Sequence, residues 1–129
     1  MKRLAIVVAV VAGLALCSVA LAAGTLSGKY KTKVHTSALG GQLNGTWTID
    51  FKSGGYTVTD QGKVVLHGKN SIKGAKISFT DTSGADKCPG TGRYKFKLKG
   101  KALKFTKVKD SAACAGRATV LSGAFTKVS

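Results

Sequence analysis

The only acidic side chains in this chain of 129 residues are five aspartates, with no glutamate beside them. General acid–base chemistry needs titratable groups whose surroundings push their pKa values apart. Asp50, Asp60, Asp81, Asp86 and Asp110 fall mostly in turns or at strand ends, where aspartate serves the backbone. His35 and His67 lie far apart and lack metal-ligand spacing, so each reads as an ordinary surface or sheet residue. No Ser/His/Asp spacing stands out. Neither a cofactor nor a metal is expected, and the composition points away from an enzyme.

Cysteine is the other reactive residue, and its meaning depends on location. Met1 to Ala23 carry a basic start, Lys2-Arg3, an apolar run from Leu4 to Leu16, and the small-residue stretch Val19-Ala20-Leu21-Ala22-Ala23. This is the pattern of an export signal cut after Ala22 or Ala23, bacterial in appearance. Two other readings stay open: an uncleaved anchor, long enough to span a membrane, and a lipid anchor on Cys17, although Leu16 stands where a small residue is usual. Either would be the only route to a membrane. The remaining residues, 24–129, make one domain in the periplasm, the cell envelope or the medium. Cys88 and Cys114 are then its only cysteines, and in an oxidising compartment they are expected to form one disulfide. Asn44-Gly45-Thr46 matches a glycosylation sequon, incidental in a bacterial exported protein.

Charge comes next. Without Lys2 and Arg3 the 21 basic residues become 19 against 5 aspartates, a net charge of +14. Anionic surfaces are natural partners for such a chain, while lysine also keeps sheets soluble and protects their edges. Beyond the signal only Arg93 and Arg117 are arginines, so bidentate phosphate recognition has little to work with.

The elements that must carry these residues are short alternating runs cut by glycine, as at Gly28-Lys29-Tyr30, Gly45-Thr46-Trp47, Gly54-Gly55-Tyr56 and Gly92-Arg93-Tyr94. Eight strands are predicted: Lys29 to Thr36, Thr46 to Phe51, Tyr56 to Asp60, Lys63 to Ile72, Lys76 to Thr82, Arg93 to Lys99, a seventh through Leu103 and Phe105, and Arg117 to about Lys127. Ser37–Asn44, Asp81–Gly90 and Asp110–Gly116 read as the longer loops. Period two sends Tyr30, Trp47, Phe51, Tyr56, Phe79, Tyr94, Phe96 and Phe105 inward. It sends Lys29, Lys31, Lys33, Lys95, Lys97, Lys99 and Lys104 outward.

The expected fold is therefore all-β, an eight-stranded antiparallel up-and-down meander barrel with one disulfide. In such a meander the first, third, fifth and seventh connections share one end. Cys88 lies in the fifth and Cys114 in the seventh, so both fall there without adjustment. Closure would set the first, sixth, seventh and eighth strands side by side, and their outward lysines would form one basic wall.

Gly45-Thr46-Trp47 resembles the G-x-W element of lipocalins in the calycin superfamily. Arg117, near the predicted last strand, resembles the cationic residue that packs over that tryptophan, a favourable contact. Gly55-Tyr56-Thr57-Val58-Thr59 and Cys114-Ala115-Gly116-Arg117 are similar to stretches of small exported bacterial lipocalin-like proteins. One departure is that lipocalins carry the motif on their first strand, whereas here a full strand precedes it. The resemblance implies a monomeric barrel holding a small apolar or amphipathic ligand among the inward aromatics, unless those aromatics simply fill it. The alternative expectation is a non-catalytic interaction protein whose loops or basic wall engage a hydrolase or an anionic envelope polymer. The aromatics alternate inward instead of standing among the lysines, which weighs against nucleic acid.

Overall fold

Alternation governs the first strand as built: in β1 (Gly28–Val34) Tyr30, Thr32 and Val34 are buried while Lys29, Lys31 and Lys33 are exposed. The computed structural model describes residues 26–129. The expected export signal and Cys17 therefore lie outside the described residues. The same pattern buries Trp47, Ile49 and Phe51 in β2 (Gly45–Lys52) and Tyr56 and Val58 in β3 (Gly55–Asp60). β4 (Lys63–Lys73) is followed by β5 (Lys76–Ser83), which buries Ile77, Phe79 and Asp81. β6 (Thr91–Lys99), β7 (Ala102–Lys109) and β8 (Ala124–Lys127) complete the set.

Every strand pairs antiparallel with its neighbour in the chain, and β8 returns to β1, giving a closed eight-stranded barrel. A bulge between Val58 and Thr59 adds one residue to β4, so that Val65 and Leu66 are both buried in succession. The disulfide Cys88–Cys114 forms, with Cα atoms 5.6 Å apart. Such a bond belongs to an oxidising compartment.

The last predicted strand is shorter than its pattern implied. Ala115–Leu121 forms helix α1, preceded by a 3-10 turn at Ala112–Cys114, and only Ala124–Lys127 is extended. Ala115, Arg117, Ala118 and Leu121 are good helix formers, and the adjacent buried pair Val120-Leu121 suits a helix face better than an alternating strand. β8 therefore closes the barrel over only part of its height, through Tyr30↔Lys127 and Lys31↔Thr126 on one side and Ala102↔Thr126 to Lys104↔Ala124 on the other. Beyond it α1 packs beside β7, and Gly123 fits against β1 so closely that a Cβ there would stand 2.5 Å from Thr32 Oγ1. Two smaller boundaries also move: β1 stops at Val34, and the loop expected from Asp81 begins only after Ser83, leaving Asp81 within β5 as the predicted strand Lys76 to Thr82 had it.

The core divides along the barrel axis. Toward the end with tight turns, aromatic rings meet edge to face: Tyr30–Phe51 at 6.0 Å, Phe79–Tyr94 at 5.7 Å, Phe79–Phe105 at 5.6 Å and Phe105–Phe125 at 5.6 Å. At the β2–β3 turn there, Ser53 and Gly54 both take positive φ, the twist that a two-residue hairpin needs. The opposite end carries the three longer connections and the disulfide.

Candidate functional site

The disulfide end holds a cavity of about 470 Å³. Strand residues Trp47, Ile49, Val58, Leu66 and Phe79 form its apolar wall, and Val120 and Leu121 of α1 close the side where β8 is missing. Exposed Gln42, Asp86 and Lys87 stand at its mouth. Indole Nε1 of Trp47 donates to the Leu43 carbonyl at 2.7 Å, which fixes the ring against the β1–β2 connection.

Within this apolar lining sits a dense polar cluster. The Arg117 side chain is only 5% exposed, and those of Asp81 and Asp110 are 1% exposed. Arg117 grips Asp110 with two prongs, Nε to Oδ2 at 2.9 Å and Nη2 to Oδ1 at 2.7 Å, the strong bidentate geometry of a guanidinium and a carboxylate. Tyr94 donates to Asp110 Oδ2 at 2.6 Å and the Ser111 amide to Oδ1 at 2.9 Å. Asp81 lies on the other side, with its Oδ1 3.6 Å from Arg117 Nη1. It accepts from the Tyr56 hydroxyl at 2.6 Å and from the Cys88 amide at 3.0 Å.

The backbone has been shaped around this cluster. A Cβ on Gly92 would lie 2.5 Å from Asp110 Oδ2 and 3.0 Å from Arg117 Nε, so this β6 glycine leaves room for the ion pair instead of making a turn. Gly68 in β4 likewise leaves room for the Tyr56 ring and hydroxyl. The disulfide joins the β5–β6 connection to the residue just before α1, which places Arg117 over its two acids.

Burial alone would raise the Asp110 carboxyl, but the hydrogen bonds from Arg117 and Tyr94 outweigh it and hold the carboxyl below its ordinary range. Burial would lower Arg117, and the bonds and charge of Asp110 with the charge of Asp81 raise it instead. Tyr56 and Tyr94 are pushed well above the usual phenol range, first by burial and then by the carboxylates they serve. Tyr30 is raised by burial.

Two atoms on the cavity wall are left over. Arg117 Nη1 and Asp60 Oδ1 are both buried without a hydrogen-bond partner. A buried polar group in this state costs free energy until something satisfies it.

Of the inward aromatics, Trp47, Tyr56 and Phe79 line the cavity, whereas Tyr30, Phe51, Tyr94, Phe96 and Phe105 belong to the packed core. Phe79 touches both regions, with Tyr56 at 5.3 Å on one side and Phe51 at 6.4 Å on the other. Arg117 reaches the cavity from α1, engaged with two carboxylates. Asp60, Asp81 and Asp110 read from sequence as turn residues, yet period two already marks two of them. Asp60 extends Tyr56 and Val58, and Asp81 extends Ile77 and Phe79, each along an inner face.

Outside, Lys29, Lys31, Lys33, Lys95, Lys97, Lys99 and Lys104 are all exposed, and closure of the barrel brings their strands together. Lys97 stands directly opposite Lys104, Lys76 opposite Lys95 and Arg93 opposite Lys109. Among the described residues no lysine pairs with a carboxylate; both ion pairs belong to Arg117. His67 lies on the outer face of β4 within 3.3 Å of Thr57 Oγ1. No described group of three His, Cys, Asp or Glu side chains is placed to hold a metal ion.

No protein-family model, curated protein or solved structure matches the chain.

Proposed function

We propose that this protein is an exported, non-catalytic carrier that holds a small apolar or amphipathic ligand in the cavity at its disulfide end. The observation that carries the reading is the cavity itself. Its volume of about 470 Å³ lies within the roughly 300–1,000 Å³ common for small-molecule sites. Its wall is mostly aromatic and aliphatic, with a few convergent polar atoms at one place, the usual division between affinity and orientation. The closed antiparallel meander supports the lipocalin-like resemblance, and the disulfide together with the signal pattern supports export.

Trp47 is the only tryptophan in the chain and lies on the cavity wall, so its emission should report occupancy. Titration with a hydrophobic fluorescent probe is expected to change Trp47 emission saturably and to vary little between low and high salt. If the folded protein neither binds the probe nor carries co-purified lipid, the carrier reading fails.

A second reading rests on the lysine wall. Like charges facing each other across strands destabilise by up to about 1 kcal/mol per pair, and an anionic envelope polymer laid over β6, β7 and β1 would relieve that. Retention on a polyanionic matrix that collapses as salt rises would support it. Retention equal to that of a variant with Lys95, Lys97 and Lys104 replaced by Gln would remove it.

A further inference from the structure

We infer that the ligand of this cavity carries an uncharged head that both donates and accepts a hydrogen bond, an alcohol or a carboxamide, and is not a fatty acid or an amine. The inference rests on the carrier reading above and adds the chemistry of the head group.

The two unsatisfied atoms on the cavity wall are of opposite kinds. Arg117 Nη1 can only donate, and Asp60 Oδ1 as a carboxylate oxygen can only accept. A hydroxyl or primary amide offers both functions in one uncharged group, an oxygen to accept from Nη1 and its own O–H or N–H to donate to Asp60. Nothing else among the described residues does this for either atom.

The charge balance excludes the obvious alternatives. A carboxylate head would look to Arg117 for its counterion, but that guanidinium is already held by both oxygens of Asp110, with Asp81 3.6 Å from Nη1. The charged lining with its backing residue Asp110 sets Asp60, Asp81, Asp86 and Asp110 against Arg117 and Lys87, four carboxyl groups to two cations. An added anion would meet more like charge than opposite charge. An ammonium head would suit the acids, yet it would leave Nη1 without an acceptor and set two cations side by side. Burial sharpens both penalties because low dielectric strengthens every unbalanced charge.

The test uses four ligands of one chain length, 1-decanol, decanamide, decanoate and decylammonium, titrated at pH 7.5 by Trp47 emission and by calorimetry. Decanol and decanamide are expected to bind at least about tenfold more tightly than the two ions, the scale of one hydrogen bond to a charged group. Decanoate or decylammonium binding as well as the alcohol overturns the head-group inference and leaves the carrier reading standing. Failure of all four to bind overturns both. Decyl methyl ether, which accepts but cannot donate, isolates the role of Asp60. The wild-type protein is expected to prefer decanol to the ether about tenfold, and Asp60→Ala to abolish that preference. A preference that survives Asp60→Ala assigns the acceptor of the ligand's O–H elsewhere and overturns the inference.

Discussion

The two ends of this barrel solve the same packing problem in opposite ways. Toward the tight-turn end, Tyr30, Phe51, Phe105 and Phe125 fill the interior with rings packed at 72° and 83°, away from both described ion pairs. Toward the disulfide end the rings of Trp47, Tyr56 and Phe79 stand around a space divided between a cavity and a buried ion cluster. Buried ion pairs are poor stabilisers compared with well-packed apolar groups. Their presence at one end only marks where the fold retains a polar, hollow site at a cost in stability.

The sharpest way to break this contrast is to hollow the filled end. Phe51→Ala removes the ring between Tyr30 and Phe79 and is expected to cost about 4 kcal/mol of unfolding free energy in urea. Binding of the hydrophobic probe should be unchanged. If probe binding fell in parallel, the two halves would be one cooperative site and the division would be wrong.

Next in size is the covalent strap. Replacing Cys88 and Cys114 by Ser releases a loop spanning 26 residues and is expected to cost about 3 kcal/mol. Because that strap positions Arg117, the Trp47 response to ligand should weaken as well. Intact mass of the unmodified protein should rise by two hydrogen atoms when a reductant supplies two electrons and two protons to the disulfide, and no change would mean free thiols.

The same small substitution should then behave differently at the two ends. Gly92→Ala drives a methyl group into the Asp110–Arg117 pair and is expected to cost about 2 kcal/mol. Gly54→Ala meets open space, and only its φ of +78° opposes the change, for about 1 kcal/mol. Equal losses in denaturant midpoints would show that the ion cluster tolerates displacement.

Smallest is the response to pH, which has a different sign on each side of neutrality. The folded Asp110 is held below its ordinary value, so its contribution is present above that value and disappears as pH falls through the lowered one. Asp110→Asn should flatten the acid limb of melting temperature against pH. All three tyrosines are raised, so their contribution is complete below the ordinary phenol value of about 10 and is lost as pH rises through the folded values. At pH 10 the folded protein should show less phenolate absorbance than the chain in denaturant, which is half ionised.

Much of this was legible in the residues. Strands that alternate strictly, such as Lys29 to Val34 and Arg93 to Lys99, were placed to within a few positions, and the meander order brought Cys88 and Cys114 together. The segment after Cys114 was not, because its apolar residues are too few to set a period, and the helix rests on the propensity of Ala115, Arg117 and Ala118 and on the adjacent pair Val120-Leu121. Asp60 and Asp81 were readable as inner-face residues, but aspartate's preference for turns argued the other way, and the deciding factor was a partner, Arg117, supplied from far along the chain. Asp110 had no such signal. Lys107, Val108 and Lys109 before it are all exposed, and the bulge between Arg93 and Tyr94 breaks the register that would have shown where it points.

The partial closure by β8 makes this domain dependent on a four-residue strand, Ala124–Lys127. Until synthesis reaches Lys127, β1 and β7 both present bare edges, and Phe125 is missing from the ring cluster. Exposed edges invite pairing between molecules. A chain lacking Ala124–Lys127 would therefore be an open sheet prone to aggregate.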